Sequence, residues 1–353
     1  MAKKQTAADR GAALQRLKRA LKTGEVSNFY VFYGEEAFLK ERYWQMLEKK
    51  LLDGPAAEFN FHRFNADTLS PQAMSEALDA MPMMAERTLL RVDDVDFFKQ
   101  PEQVREQYRG ILSDLPDYCC LVLYYDTVDW KPNGTMRKLN EVFQTRCEQV
   151  EFCKQSERDL VAWIVRHFRA HEKSASDPLC QYLIFITDGT MTTLAGEIEK
   201  VASYAQGAEI TKGDVDAVVI PALTAQTFDI SNALTDGNYD TALRKLQDLY
   251  AMQTEPILIL GAIGNQMRRL YYARTVMAAG KGQQALMELT GLKSYPAGLT
   301  MTAARRVSEG FCRRAVELCL QADRDMKSSR DDPERILDVL IAALAQEARS
   351  GTR

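Results

Sequence analysis

No long apolar run occurs in the sequence, so the segment that a membrane-spanning helix requires is missing. The longest such run, Ile257 to Ile263, is far shorter than the roughly 20 residues that cross a bilayer. No apolar segment of the signal-peptide kind follows Met1. The sequence therefore predicts a cytoplasmic protein without a membrane partner.

Metal-binding and disulfide patterns are also missing. The seven cysteines are an odd number at irregular spacing, and no C-x-x-C occurs among them. His167 and His171 have the i, i+4 spacing of a helical metal site, but no glutamate lies between them and no third ligand is marked. We expect reduced structural thiols, histidines on a solvated helix face and no metal.

An excess of positive charge is absent as well. The net charge of −4 argues against a protein whose main affinity is for nucleic acid, so any such contact must be local. Residues 1–22 are rich in Lys and Arg and carry leucines at helical spacing, which predicts a basic amphipathic helix. Packing on the edge of its domain is favoured over contact with DNA.

The remaining composition is that of a globular protein, and 353 residues suffice for two or three domains. Up to Phe152, five apolar segments alternate with helical patterns, which predicts an α/β domain with a mostly parallel sheet covered on both faces. The predicted strands are Phe29–Tyr33, Phe59–Phe64, Thr88–Val92, Leu121–Tyr125 and Gln149–Phe152.

The turn after the first strand is where such a sheet would hold a nucleotide phosphate. A P-loop needs several glycines, a lysine and a Ser or Thr, whereas the stretch Tyr33–Lys40 has one glycine. Glu35 and Glu36 would repel a triphosphate, and Lys40 lies far enough inside the helix to be solvated. The sequence thus predicts a P-loop-ATPase-like fold with no catalytic residue and no cofactor.

Three carboxylates follow the third predicted strand, where ATPases of this architecture hold magnesium. They belong to Asp93, Asp94 and Asp96. Without a P-loop they have no phosphate to serve. An ATPase with a divergent phosphate loop nevertheless stays an alternative function.

A short helix with an apolar stripe precedes that strand. Ser70 is a suitable N-cap, and Pro71 suits the first helical position, where its missing N–H costs nothing. Met74, Leu78 and Met81 follow at i, i+4 and i+7. The sequence predicts that Met74 and Leu78 anchor this helix to the core.

Pro82 ends the helix and leaves Met83 and Met84 in the connection to the next strand. Methionines in a turn have two interpretations. They fold back to fill gaps in the core, as flexible methionines commonly do, or they are exposed for a partner.

Only helical patterns follow Phe152, so two all-α domains follow the α/β domain. The predicted domains are residues 1–153, a small helical lid over residues 154–220 and a helical collar over residues 221–353. A helix is expected over Ala303–Lys327, after a break at Tyr295–Gly298, where proline and glycine occur together.

One collar helix carries Arg268, Arg269 and Arg274 beside two tyrosines. A basic face with aromatic residues can track a nucleic-acid backbone, although solvent or a partner protein more often covers such a face. These arginines are the candidate DNA contacts, and a stand-alone DNA-binding module is the second alternative function.

The order of these parts resembles the delta subunits of bacterial DNA polymerase III, members of the clamp loader that opens the sliding clamp. The resemblance extends over nearly the whole chain. It is carried by six segments: Phe29–Leu39, Leu78–Leu90, Asp188–Lys200, Phe228–Leu234, Asn265–Leu270 and Ala322–Lys327.

The resemblance implies a non-hydrolysing subunit that binds and opens the sliding clamp for loading on primed DNA. Its implied partners are the clamp (beta subunit), the other clamp-loader subunits of a hetero-pentamer held together by the collar, and DNA within that complex. The implied assembly is a nucleotidyltransferase in which this chain is not itself catalytic.

In the family, a helix followed by apolar residues enters a hydrophobic pocket on the clamp. The matching positions are Met81, Met83 and Met84. Other members often carry Leu and Phe at the last two positions, where this sequence has Met. Flexible Met side chains can still fill an apolar pocket.

Overall fold

A computed structural model describes residues 7–52, 54 and 56–350 of the chain. The chain forms two compact units, Met1–Gln155 and Ser156–Arg353. The first boundary predicted from the sequence lies two residues earlier. A division of the second unit into lid and collar stays a prediction.

The first unit is an α/β domain with a five-stranded sheet. Every paired neighbour is parallel, and the order across the sheet is β2-β3-β4-β1-β5. Its elements in chain order are α1 (Ala7–Thr23), β1 (Phe29–Tyr33), α2 (Ala37–Leu51), a 3₁₀ turn (Ala57–Asn60), β2 (Phe61–Phe64), α3 (Pro71–Asp79), β3 (Thr88–Asp93), α4 (Glu102–Ser113), β4 (Cys119–Tyr124), α5 (Arg137–Thr145) and β5 (Glu148–Glu151).

Both faces of this sheet are covered, which explains why its central strands are apolar throughout. On one face Phe29 and Val31 of β1 pack in a cluster with residues of α3, α4 and α5. On the other face Tyr30 and Phe32 pack in a cluster with residues of α1 and α2. The alternation of side chains along β1 thus supplies two cores.

The N-terminal helix packs on the edge of this sheet, as the favoured interpretation predicted. Leu17 and Leu21 are buried in the cluster shared with α2. Arg16 forms a two-pronged hydrogen bond with Glu148 of β5, with its shortest N–O distance at 2.7 Å. Lys3 and Lys4 of the basic segment lie outside the described residues.

One predicted strand begins later than expected. The segment Ala57–Asn60 is a 3₁₀ turn, and β2 begins only at Phe61. Phe59 is therefore outside the sheet and exposed, and Asn60 turns its side chain into the protein. The prediction of a strand from Phe59 was wrong because apolar periodicity does not distinguish an exposed aromatic residue from a strand residue.

The second unit is helical, apart from one isolated bridge between Ser174 and Glu209. Its elements are α6 (Glu157–Ala170), α7 (Asp177–Ile186), α8 (Met191–Tyr204), α9 (Lys212–Val218), α10 (Leu223–Thr235), α11 (Tyr239–Ala251), α12 (Pro256–Ala278), α13 (Gln283–Thr290), α14 (Ser294–Ala304), α15 (Glu309–Ser328) and α16 (Pro333–Ser350). The predicted fold class, an α/β domain with a parallel sheet followed by helical structure, is confirmed.

Local capping decides where several of these helices begin. The Ser156 hydroxyl accepts from the Asp159 amide at the start of α6. Thr211 and Asp214 form a reciprocal capping box at the start of α9. Such side chains satisfy amides that have no partner in the helix.

The predicted helix over Ala303–Lys327 is instead two helices. Helix α14 runs through the supposed break, with Pro296 in its first turn, where no backbone N–H is required. The helical structure is interrupted after Ala304. Ser308 then caps α15, because its hydroxyl accepts a hydrogen bond from the Phe311 amide. The prediction took Pro296 as a break in helical structure, whereas this proline lies in the first turn of a helix.

Among the described residues no helix is long and apolar enough to cross a membrane.

Candidate functional site

The helix that carries the apolar stripe is α3, and its start is as predicted. The Ser70 hydroxyl accepts from the Ala73 amide at 3.0 Å, and Pro71 is the first helical residue. The helix ends at Asp79, however, with Ala80 already extended. The prediction that Pro82 ends the helix was wrong, because the helix ends two residues before Met81, which therefore lies outside it.

The side chains of this segment separate sharply by burial. Met74 and Leu78 are buried in the core under the sheet. Met81, Met83 and Met84 are 81%, 53% and 87% exposed. Of the two interpretations left open by the sequence, the structure has the methionines exposed.

A buried asparagine holds the exposed segment. The Asn60 side chain is 1% exposed, and its amide forms two bonds with the backbone of one residue. The Met83 N–H donates to Asn60 Oδ1 at 2.6 Å, and Asn60 Nδ2 donates to the Met83 carbonyl at 2.8 Å. Nδ2 also donates to the Ala56 carbonyl at 3.0 Å. The 3₁₀ turn and the methionine segment are thereby joined.

The backbone at Met84 has a positive φ of 52°. A residue other than glycine adopts this left-handed backbone conformation at a cost in free energy, so surrounding contacts must hold it. The paired bonds from Asn60 act on the preceding residue. The strained residue thus adjoins the point where the segment is fixed, and its side chain points into solvent.

The side chain of Lys40 lies at the edge of the sheet where a nucleotide phosphate was expected from the sequence. Lys40 of α2 is 1% exposed, and its Nζ lies between the ends of the adjacent strands β1 and β4. The ammonium donates to the Tyr125 carbonyl at 2.6 Å, pairs with Asp126 at 2.8 Å and lies 3.4 Å from the Gly34 carbonyl. The expectation that Lys40 is solvated was wrong, because these oxygens replace its water.

The turn after β1 approaches β5 closely. Gly34 has φ +113°, and a Cβ placed there would lie 2.5 Å from the Phe152 carbonyl oxygen, so only glycine fits. Glu35 pairs with Lys154 at 2.9 Å. Burial raises the pKa of Glu36, while the Phe38 amide and Lys154 lower it by less.

The three carboxylates after β3 all have partners within the protein. Asp93 pairs with Arg63 and with Arg91, each at 2.7 Å. Asp96 accepts from the Phe98 amide at 3.0 Å.

Asp94, with φ +53°, caps the turn after β4. It accepts from the amides of Asp126, Thr127 and Val128. Burial acts to raise the pKa of Asp94, but these bonds outweigh it and the pKa is lowered. Asp94 therefore stabilises this turn.

The predicted basic face does not form as one surface. Arg268 is exposed and bonds to Asn265, whereas burial lowers the pKa of the half-buried Arg269, an effect that Asp188 opposes. Nε of Arg274 is buried. Successive residues of a helix are 100° apart, so the three arginines point in different directions. Their contact with DNA stays a prediction.

The two histidines are not brought together with a third ligand. His167 Nδ1 lies 2.9 Å from the Trp163 carbonyl, and its ring contacts the Trp163 ring in a tilted arrangement with 3.9 Å between centroids. Within the part of the chain that the structure describes, no group of three His, Cys, Asp or Glu side chains is placed to hold a metal.

Sequence reasoning missed Asn60 and misjudged Lys40. An asparagine before a strand and a lysine inside a helix carry no local signal, because each acquires its role from a segment distant in sequence. Met83 is 23 residues from Asn60, and Tyr125 is 85 residues from Lys40.

Comparison with protein families points in one direction. The model of the family described as "DNA polymerase III, delta subunit" matches residues 30–148. The model described as "DNA polymerase III delta subunit, C-terminal domain" matches residues 224–344. Together they cover more than half of the chain, and the exposed methionines lie within the first match.

Individual relatives agree with this. DNA polymerase III subunit delta of Bacillus subtilis is 24% identical over 92% of this chain and 95% of its own length. The probable DNA polymerase III subunit delta of Aquifex aeolicus is 21% identical over 75% of this chain and 76% of its own. The solved structure of the Bacillus subtilis DNA clamp loader delta protein matches with a TM-score of 0.58 at 21% identity, covering 94% of this chain and 99% of that one.

Proposed function

The chain belongs to the family of DNA polymerase III delta subunits, and from this premise we propose that it is the clamp-loader subunit that binds and opens the sliding clamp. Its proposed partners are the clamp, the other clamp-loader subunits of a hetero-pentamer, and primed DNA within that complex. We include the expected cytoplasmic location in this proposal, since the clamp is loaded on chromosomal DNA.

One observation carries the proposal. Met81, Met83 and Met84 are exposed together in a segment whose backbone is held from within the protein by Asn60. Burying large apolar side chains in a partner is favourable, and a segment that is already ordered loses less entropy on binding. Flexible methionines adapt to the shape of an apolar pocket. Their side chains would enter such a pocket on the clamp.

The proposal includes the absence of ATP hydrolysis by this chain. The groups that an ATPase uses at the ends of β1 and β3 are engaged with the protein's own atoms: Lys40 with Tyr125 and Asp126, and Asp94 with the turn after β4. The turn after β1 presents two glutamates instead of a set of free amides. This chain would bind the clamp while other subunits hydrolyse ATP.

The test replaces both central methionines. In the full chain, Met83→Ala/Met84→Ala should weaken binding to the sliding clamp of the same host by at least about 30-fold, as expected when two anchors of about 1 kcal/mol or more are lost. The measurement is an equilibrium titration of the fluorescently labelled clamp. The fold should be unaffected, since both side chains face solvent.

Met46, in α2, is also an exposed methionine. Met46→Ala is therefore the matched control and should bind the clamp like the wild type. Wild-type affinity of the double variant would remove the site assignment.

The alternative functions have direct tests. Equilibrium titration with a fluorescent ATP analogue should give no binding to this chain alone, whereas the ATPase alternative requires saturable binding. DNA affinity of the isolated chain that is strong and falls steeply with salt would instead favour the DNA-binding module.

A further inference from the structure

A fourth apolar side chain lies beside the methionine segment. Phe59, in the 3₁₀ turn Ala57–Asn60, is 68% exposed. It immediately precedes Asn60, whose amide is bonded to the backbone of Met83. Neither the family resemblance nor the apolar stripe of α3 marks this residue.

Exposed large apolar side chains are concentrated here. Among the described residues of the first unit they occur at Met46 and at four positions in these two segments. The four are Phe59, Met81, Met83 and Met84. Single exposed apolar residues are ordinary on protein surfaces, whereas a concentration of them marks an interaction surface.

The link between the two segments is rigid for a physical reason. The amide of Asn60 is buried and uses its acceptor and both available donor directions on the backbone of Met83 and Ala56. Losing these bonds would leave polar groups unsatisfied in a buried position. Phe59 therefore keeps a fixed place relative to Met83, and one partner can contact both.

We propose that Phe59 is a fourth contact of the surface that binds the sliding clamp, an aromatic anchor next to the three methionines. This inference rests on the proposed function. A rigid aromatic ring loses little conformational entropy on burial and gives shape selectivity, which the flexible methionines do not. The partner surface that fits this arrangement has an apolar pocket for the methionines and an adjoining apolar patch for the ring.

The experiment measures clamp binding of the full chain by the same titration. Phe59→Ala should weaken affinity by about tenfold, the loss typical of one interface anchor. Phe59→Leu, which stays apolar, should retain most of the affinity. Thermal unfolding of both variants should match the wild type, because the ring is mostly in water.

The controls separate this inference from the proposed function. Met46→Ala, an exposed apolar truncation outside the cluster, should have no effect. If Phe59→Ala binds like the wild type while Met83→Ala/Met84→Ala binds weakly, the fourth contact is overturned and the proposed function stands. If all of these variants bind like the wild type, both are overturned.

Discussion

At the residue scale, Asn60 connects the protein interior to the exposed methionine segment. Two hydrogen bonds with its buried amide fix the backbone of Met83, next to the left-handed Met84, and a third joins the amide to the Ala56 carbonyl. Asn60 is itself buried, so its expected role is to position the side chains that contact the clamp.

We expect Asn60→Ala to weaken clamp binding by several-fold and to lower the free energy of unfolding by about 1–3 kcal/mol, since buried backbone groups lose their partners. Hydrogen exchange should show loss of protection at the Met83 amide. Gln72→Ala, which removes only a bond to Glu76 on the solvent side of α3, is the control. A stability loss with unchanged clamp affinity would limit Asn60 to a structural role.

The ammonium of Lys40 is bound by oxygen atoms of the protein itself. This buried ammonium donates to the Tyr125 carbonyl just after β4 and pairs with Asp126. The Lys40 Nζ also lies 5.2 Å from the centroid of the Tyr124 ring. A buried cation persists only where such oxygens replace its water. Lys40 therefore stabilises the strand ends that it joins.

Lys40→Met keeps most of the side-chain volume but removes the donors, and should lower the free energy of unfolding by about 1–3 kcal/mol. The measurement is urea denaturation followed by circular dichroism. Lys49→Met on the exposed face of α2 should change stability by no more than about 0.5 kcal/mol. Equal effects of the two substitutions would contradict the role given to Lys40.

At the element scale, the methionines of α3 and of the segment after it have two different roles, one in the core and one at the surface. Met74 packs fully in the core, while Met81 is 81% exposed just beyond the end of the helix. Burial and not residue type decides what each methionine contributes.

Met74→Ala should cost about 2–5 kcal/mol of folding stability, the range for a truncated core methionine. Met81→Ala should leave stability within about 0.5 kcal/mol of the wild type and reduce clamp affinity. Chemical denaturation of the two variants, beside the clamp titration, tests this division. Similar stability losses at both positions would show that Met81 is packed in solution.

At the scale of the whole molecule, the two compact units have separate cores. The first has a cluster on each face of its sheet, and the second has a cluster centred on α12, α15 and α16. The methionine segment and Phe59 belong entirely to the first unit.

The fragment Met1–Gln155 should therefore fold alone and bind the clamp within about threefold of the full chain. Circular dichroism should show mixed α/β content and a cooperative thermal transition. The same fragment carrying Met83→Ala/Met84→Ala supplies the control and should bind weakly. A folded fragment with no clamp affinity would require residues of the second unit in the binding surface.

The sequence by itself determined the α/β order, the cap and core stripe of α3, and the absence of a P-loop motif from the turn after β1. Each of these depends on residues that are close in sequence: an alternating or helical pattern, a Ser-Pro start, or a glycine-poor turn. Local patterns also predicted most helices of the second unit, with an error at Pro296, which lies in the first turn of α14.

Only the tertiary structure decided what Lys40, Asn60, Phe59 and Asp94 do. Lys40 leaves solvent because carbonyls from two other strand ends replace its water, and Asp94 is engaged because the turn after β4 brings three amides to it. Asn60 meets Met83 across a strand and a helix. Such contacts depend on how distant segments pack, and no local pattern encodes them.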